Sequence, residues 1–218
     1  MKTIGSTIIM LALASSLFAD NGKELKLASP DGTHEIVFYQ KQVSPAVNEL
    51  CYRVDYKSQP VVNESRAGLE LDNRIWEMAL GVRNLKQPAC WMDNLEVDSV
   101  TYQPETNLTW QPLYGERSSV RDHYRAGTLC LSKKDNSGYR LNIEVRAYNE
   151  GVAFRYFFPE HPKAIFHKVV GDLTEYALPA GTKAWTEQWA QAFFERLNID
   201  DIKHPVERAL TFELPNGK

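Results

Sequence analysis

Apolar and polar residues alternate with a period of two along most of this chain. Tyr52, Val54 and Tyr56 interleave with Arg53, Asp55 and Lys57, and Leu141, Ile143 and Val145 interleave with Asn142, Glu144 and Arg146. Side chains on a strand point alternately to opposite faces, so this pattern predicts strands with one apolar and one polar face. Glu35–Tyr39 and Leu210–Leu214 are read the same way. Val152–Phe158 is apolar throughout apart from Arg155, which predicts a strand covered on both faces. Pro30-Asp31-Gly32, Lys134–Gly138 and Asn149-Glu150-Gly151 are turn signals, with Gly32, Gly138 and Gly151 at positions that call for positive φ. Strand, turn and strand at short spacing predict an all-β, antiparallel sandwich.

Two stretches change the picture. Trp185, Trp189, Ala192 or Phe193, and Arg196 fall near helical spacing, so Ala184–Leu197 is expected to be a short helix or an irregular lid. Pro215-Asn216-Gly217-Lys218 reads as a hairpin turn whose returning strand is not in the sequence. A domain ending inside a turn leaves a bare sheet edge, so the expectation is a sandwich incomplete at its carboxyl end.

The first residues predict a leader. Lys2, the short apolar run Ile8–Leu13 and Ala19 before polar Asp20 have the anatomy of a signal peptide over residues 1–19, with cleavage after Ser16 as the alternative. The run is too short to span a bilayer, and no later stretch is apolar enough for a membrane helix. The expected location is therefore periplasmic or secreted, with residues 20–218 forming one domain. Formal net charge is −3, and lysines and arginines are scattered, which excludes the basic face that a nucleic-acid phosphate backbone requires. Ten tyrosines, nine phenylalanines and five tryptophans suit pleated, half-buried surfaces, and such rings also stack on sugars. Cys51, Cys90 and Cys130 are far apart and odd in number, unlike a disulfide framework; an oxidising compartment permits one bridge. Cys130, between Leu129 and Leu131, is expected to be a buried inert thiol. The sequons at Asn63 and Asn107 matter only in a glycosylating secretory pathway.

Familiar catalytic constellations are absent. The sequence contains no G-x-G-x-x-G, phosphate loop, G-x-S-x-G elbow or H-E-x-x-H, and its five histidines lack ligand spacing. His123 is expected to be a hydrogen-bonded structural residue.

Several blocks carry a resemblance. Gly115-Glu116-Arg117 leading into Arg121-Asp122-His123-Tyr124 is one, and Leu141-Asn142-Ile143 through Arg146–Tyr156 is another. Leu27–Gly32, Gly68–Leu71 and Leu173–Tyr176 before Ala184-Trp185 extend it over nearly all of the chain after its leader. Together they resemble the amino-terminal β-sandwich domain of glycoside hydrolase family 97, the α-glucosidase and α-galactosidase family. The resemblance implies a galactose-mutarotase-like β-supersandwich that packs on a catalytic barrel and closes one side of its pocket. The barrel would carry the two carboxyl groups that glycoside hydrolysis needs, so no catalytic residue is carried over and the chain alone is expected to be inactive. Glu116, Glu144, Glu150 and Glu175 lie in the resembling blocks and are expected to do turn, ion-pair or edge chemistry. The family's amino-terminal domain lends one glutamate to an active-site calcium; here Glu195, in Phe194-Glu195-Arg196, takes that place. Implied partners are the barrel and, through the parent enzyme, an α-linked oligosaccharide or glycoside. A free-standing carbohydrate-binding protein and a non-functional truncated product are the alternatives.

Overall fold

A computed structural model describes residues 23–81, 90–135, 137–163, 166–215 and 217. The expected leader, residues 1–19, lies outside the described residues, as do Asn136, Asn216 and Lys218 of the expected turns.

The chain opens with a meander. β1 (Leu25–Ala28), β2 (His34–Ser44), β3 (Val47–Tyr56) and β4 (Gln59–Arg66) form an antiparallel sheet in the order of the sequence. The β1–β2 turn is set by Asp31, whose carboxylate accepts from Ser29 Oγ at 2.6 Å and from the Thr33 N–H at 3.0 Å, while Gly32 takes φ +72°. That cradle holds the Asp31 carboxyl down to about 2, the Ser29 bond being the main cause. β5 (Leu69–Leu71) and the short helix α1 (Arg74–Ala79) follow. A second antiparallel sheet combines β6 (Leu95–Tyr102), β7 (Thr106–Trp110), β8 (Val120–Lys133), β9 (Arg140–Tyr148) and β10 (Gly151–Phe157). Its order is β10-β9-β8-β6, and β7 pairs with the first half of β8. β11 (Val169–Asp172) pairs with β5, and β12 (Lys183–Thr186) lies between β13 (Glu195–Asn198) and β14 (Thr211–Glu213) in a small third sheet.

The two large sheets enclose one core. Leu25, Ile36, Phe38, Leu50 and Tyr52 come from the first sheet, and Leu129, Leu131, Leu141, Ile143 and Val145 from the second. Each such side chain contributes about 1.5–3 kcal/mol on burial. Trp91 and Tyr139, both fully buried, belong to the same core, their ring centres 5.8 Å apart. The period-two reading of β9 holds residue by residue: Leu141, Ile143, Val145 and Ala147 are buried and Asn142, Glu144 and Arg146 face outward. In β3 it holds for Tyr52 and Val54, which are buried while Arg53 and Asp55 are only half-buried, but Cys51 beside Tyr52 is buried too and Tyr56 is only half-buried.

Two expectations are corrected. Among the described residues β10 is an edge strand whose one pairing partner is β9, and Ala153, Arg155 and Phe157 on its outer face are exposed. Its run of apolar residues therefore does not mean two covered faces. Cys130 is only half-buried, because Leu129 and Leu131 take the core face of β8 and strand alternation turns Cys130 away from it. All three thiols are unpaired, and burial pushes the Cys51 thiol up to about 11. Among the described residues, no helix is long and apolar enough to cross a membrane.

Candidate functional site

The segment expected to be a helix or lid is a hairpin. β12 and β13 pair in antiparallel register, with Trp185 opposite Arg196 and Thr186 opposite Glu195. The burial of β12 alternates, Ala184 and Thr186 inward and Trp185 outward. That period of two, reinforced by β14 on the other side of β12, wins over the wider spacing of Trp185, Trp189 and Phe193. The connecting loop, residues 187–194, holds its large side chains in solvent: Trp189 is 57% exposed, Phe193 94% and Phe194 70%.

Glu195 opens β13 next to this aromatic loop and is exposed. Its main-chain carbonyl accepts from Thr186 Oγ1 at 3.3 Å. Arg196, one residue on, points to the opposite face. It pairs with Glu213, and its guanidinium lies 5.2 Å from the centre of the Trp185 ring. The neighbouring cation is therefore engaged elsewhere and leaves the Glu195 carboxylate available. Among the described residues, no group of three or more His, Cys, Asp or Glu side chains could hold a metal ion. Calcium takes six to eight oxygen ligands, so the described residues do not form a calcium site of their own.

The carboxylates of the resembling blocks occupy separate places. Glu144, on the outer face of β9, pairs with Arg155 of β10 at 2.6 Å. The Glu175 side chain accepts from the Arg66 N–H at 3.2 Å, and its main-chain oxygen accepts from Tyr52 Oη at 2.6 Å. Glu116 lies exposed between β7 and β8, and Glu150 in the exposed β9–β10 turn. His123 is hydrogen-bonded as expected: its Nε2 lies 2.7 Å from Glu105 Oε1, and Arg125 Nε donates to Glu105 Oε2 at 3.0 Å. These two bonds, that of His123 first, hold the Glu105 carboxyl below its ordinary range.

Two concavities were not anticipated from the sequence. One, of about 990 Å³, lies on the outer face of β8, β9 and β10 and is walled by residues 103–108. The other, of about 860 Å³, opens at the mouth between the large sheets, where Tyr52, Phe154 and Tyr156 meet Phe212 and Leu214. The polar half of the β9 alternation, Glu144, Arg146 and Tyr148, was the available signal for the first; the wall comes from a strand pairing that no local pattern announces.

The model of the glycosyl-hydrolase 97 N-terminal family matches residues 27–218. The chain is 26% identical over 178 residues to a retaining α-galactosidase of Bacteroides thetaiotaomicron, a match covering 82% of this chain and 22% of that protein. A glycoside hydrolase family 97 enzyme of Pseudoalteromonas sp. strain K8, solved with panose and also with acarbose, superposes with a TM-score of 0.73 at 23% identity, over 88% of this chain and 27% of that one. A β-arabinopyranosidase superposes at 0.67 with 16% identity, over 88% and 30%. The chain thus spans about a quarter of the length of these relatives. Since the family model covers almost everything after residue 26, the chain belongs to the glycosyl-hydrolase 97 N-terminal family.

Proposed function

We propose that this chain acts as the amino-terminal domain of an exported α-glycosidase, packing on a catalytic barrel and completing one side of its pocket. The observation that carries this reading is the bare aromatic surface of the β12–β13 hairpin. Trp189, Phe193 and Phe194 are 57%, 94% and 70% exposed on its connecting loop. Contiguous apolar surface of this kind marks a site of association. Glu195 stands beside that surface with its carboxylate exposed, placed to lend one oxygen to a calcium ion whose other ligands the barrel supplies. In this reading the ion would help to order the join and to stabilise charge in the pocket. The chain's own contribution is to position Glu195 on β13, which is paired with β12 and held at Glu195 by the Thr186 hydroxyl. Hydrolysis itself needs a carboxyl pair flanking the glycosidic bond, and that pair is assigned to the barrel.

The test compares the chain alone with the chain joined to the barrel encoded downstream of it, on aryl α-glucosides and α-galactosides. The joined protein is expected to turn over and the chain alone is not. Phe193→Asp combined with Phe194→Asp should lower the joined activity at least about tenfold, through loss of packing that holds the pocket in register. Turnover by the chain alone, or a downstream frame that encodes no barrel, overturns the proposal.

A further inference from the structure

We propose that the outer face of β8, β9 and β10 is a second ligand site, a groove for a short neutral oligosaccharide, distinct from the β12–β13 surface. The inference goes beyond the barrel-packing role and does not depend on it. The groove shares no lining residue with β12, β13 or their connecting loop.

Its floor follows from strand alternation. With Leu129, Ile143 and Val145 turned to the core, Tyr124, Glu144, Arg146 and Tyr148 face outward, joined by Arg155 of β10. Its wall is the 103–108 segment, where the chain leaves β6 and returns as β7. Gln103 Nε2 donates to Thr128 Oγ1 at 3.2 Å, and the Gln103 N–H to the Ala126 carbonyl at 3.0 Å, which ties the wall to the floor.

The floor side chains are held before any ligand arrives. The Arg146 guanidinium lies 4.4 Å from the centre of the Tyr124 ring and donates from Nη1 to Tyr148 Oη at 3.3 Å. The Tyr124 and Tyr148 rings are 5.0 Å apart. Arg155 donates from Nε to Glu144 Oε2 at 2.7 Å. Side chains already ordered lose little entropy on binding.

The chemistry of this lining selects the ligand. Glu144 is matched by Arg155 and Glu105 by Arg125, so the carboxylates of the lining are neutralised, and the remaining guanidinium, Arg146, is engaged by the Tyr124 ring and Tyr148 Oη. A protein partner prefers a surface centre depleted of charge, and this lining carries four charged side chains. Each guanidinium carries five donors and each carboxylate about four acceptor sites, more than their mutual bonds consume. Rigid forks of donors and acceptors beside tyrosine rings fit vicinal hydroxyls and the C–H faces of pyranoses. A volume of about 990 Å³ stands at the upper end of small-molecule sites, which suits a chain of sugars over a single one.

The experiment is a titration of the purified chain, followed by amide NMR shifts and calorimetry, with maltotriose, with raffinose and with inorganic phosphate. The expected result is saturable binding of at least one trisaccharide with Kd of about 1 mM or tighter, and none of phosphate. Tyr124→Ala and Arg146→Ala should each weaken it about tenfold. Ala153→Trp, a change at an exposed groove position that removes no core contact, should block it. Glu195→Gln should leave it unchanged. The proposal is overturned if neither trisaccharide saturates, if phosphate competes, or if Arg146→Ala and Ala153→Trp both bind as wild type does.

Discussion

Gly68→Ala tests how the sandwich holds its crossing segments. Gly68 is buried just before β5, where the chain passes under the residues that follow β11. A methyl group added there would lie 2.8 Å from Leu173 Cβ, 3.0 Å from the Leu173 carbonyl oxygen and 3.2 Å from its carbonyl carbon. None of these is the free end of a flexible side chain, so relief requires backbone movement. The same backbone carries the Leu173 N–H to Gly68 carbonyl bond at 3.0 Å, and Thr174, two residues beyond Asp172, anchors Tyr156 Oη at 2.5 Å. Overpacking a tight site costs about 1–3 kcal/mol, and weakening one buried backbone bond adds about 1 kcal/mol. Taking about 2 kcal/mol, Tm should fall by about 4–8 °C for a domain of this size. Gly127→Ala is the milder comparison: its methyl would meet Leu25 Cδ1 at 3.1 Å, Tyr102 Cδ1 at 3.3 Å and the Thr101 carbonyl oxygen at 3.4 Å, so neighbours need give by only a few tenths of an ångström. Thermal melting of both variants checks the reasoning. If Gly68→Ala melts within about 1 °C of wild type, or no lower than Gly127→Ala, the close approach is not a constraint and the argument fails.

Other outcomes follow from single groups. Burial, with a smaller contribution from His161, holds the His167 imidazole down to about 4 against 6.5 when unfolded, so the unfolded chain binds the extra proton between those values. Stability should therefore be full above pH 6.5, decline as pH falls towards 4 by on the order of 2 kcal/mol, and then level off in this respect; urea titrations of His167→Gln should show that decline flattened. Tyr52→Phe removes the 2.6 Å bond to the Glu175 carbonyl without changing the ring, and should cost about 1 kcal/mol in the same assay, whereas no change would mean that water replaces it freely. Mass spectrometry of the exported protein should find a mature amino terminus near Asp20; a product that keeps Met1 would contradict the leader reading.

Much of this protein was determined by the sequence itself, and the reason is that strand alternation is local. In β9, Leu141, Ile143, Val145 and Ala147 are the core and their neighbours are not, with no reference to the rest of the chain. The Asp31-Gly32 turn is equally local, built from side chains within two residues of each other. Family membership was legible because those local blocks recur in order along the chain. What only the tertiary structure decided depends on partners distant in sequence. Val152–Phe157 looks like a central strand, but nothing in it says that β9 will be its single neighbour among the described residues. Trp185 and Trp189 suggest a helix until β13 and β14 claim both edges of β12, because paired backbone bonds outweigh a weak side-chain periodicity. Glu195 beside exposed Phe194 could be named from sequence, whereas the engagement of Arg196 with Glu213 came from β14, fifteen or more residues away. The groove floored by Tyr124, Arg146 and Arg155 is the clearest case. Its three strands are each readable alone, and only their register sets a guanidinium over a ring and closes the wall at Gln103.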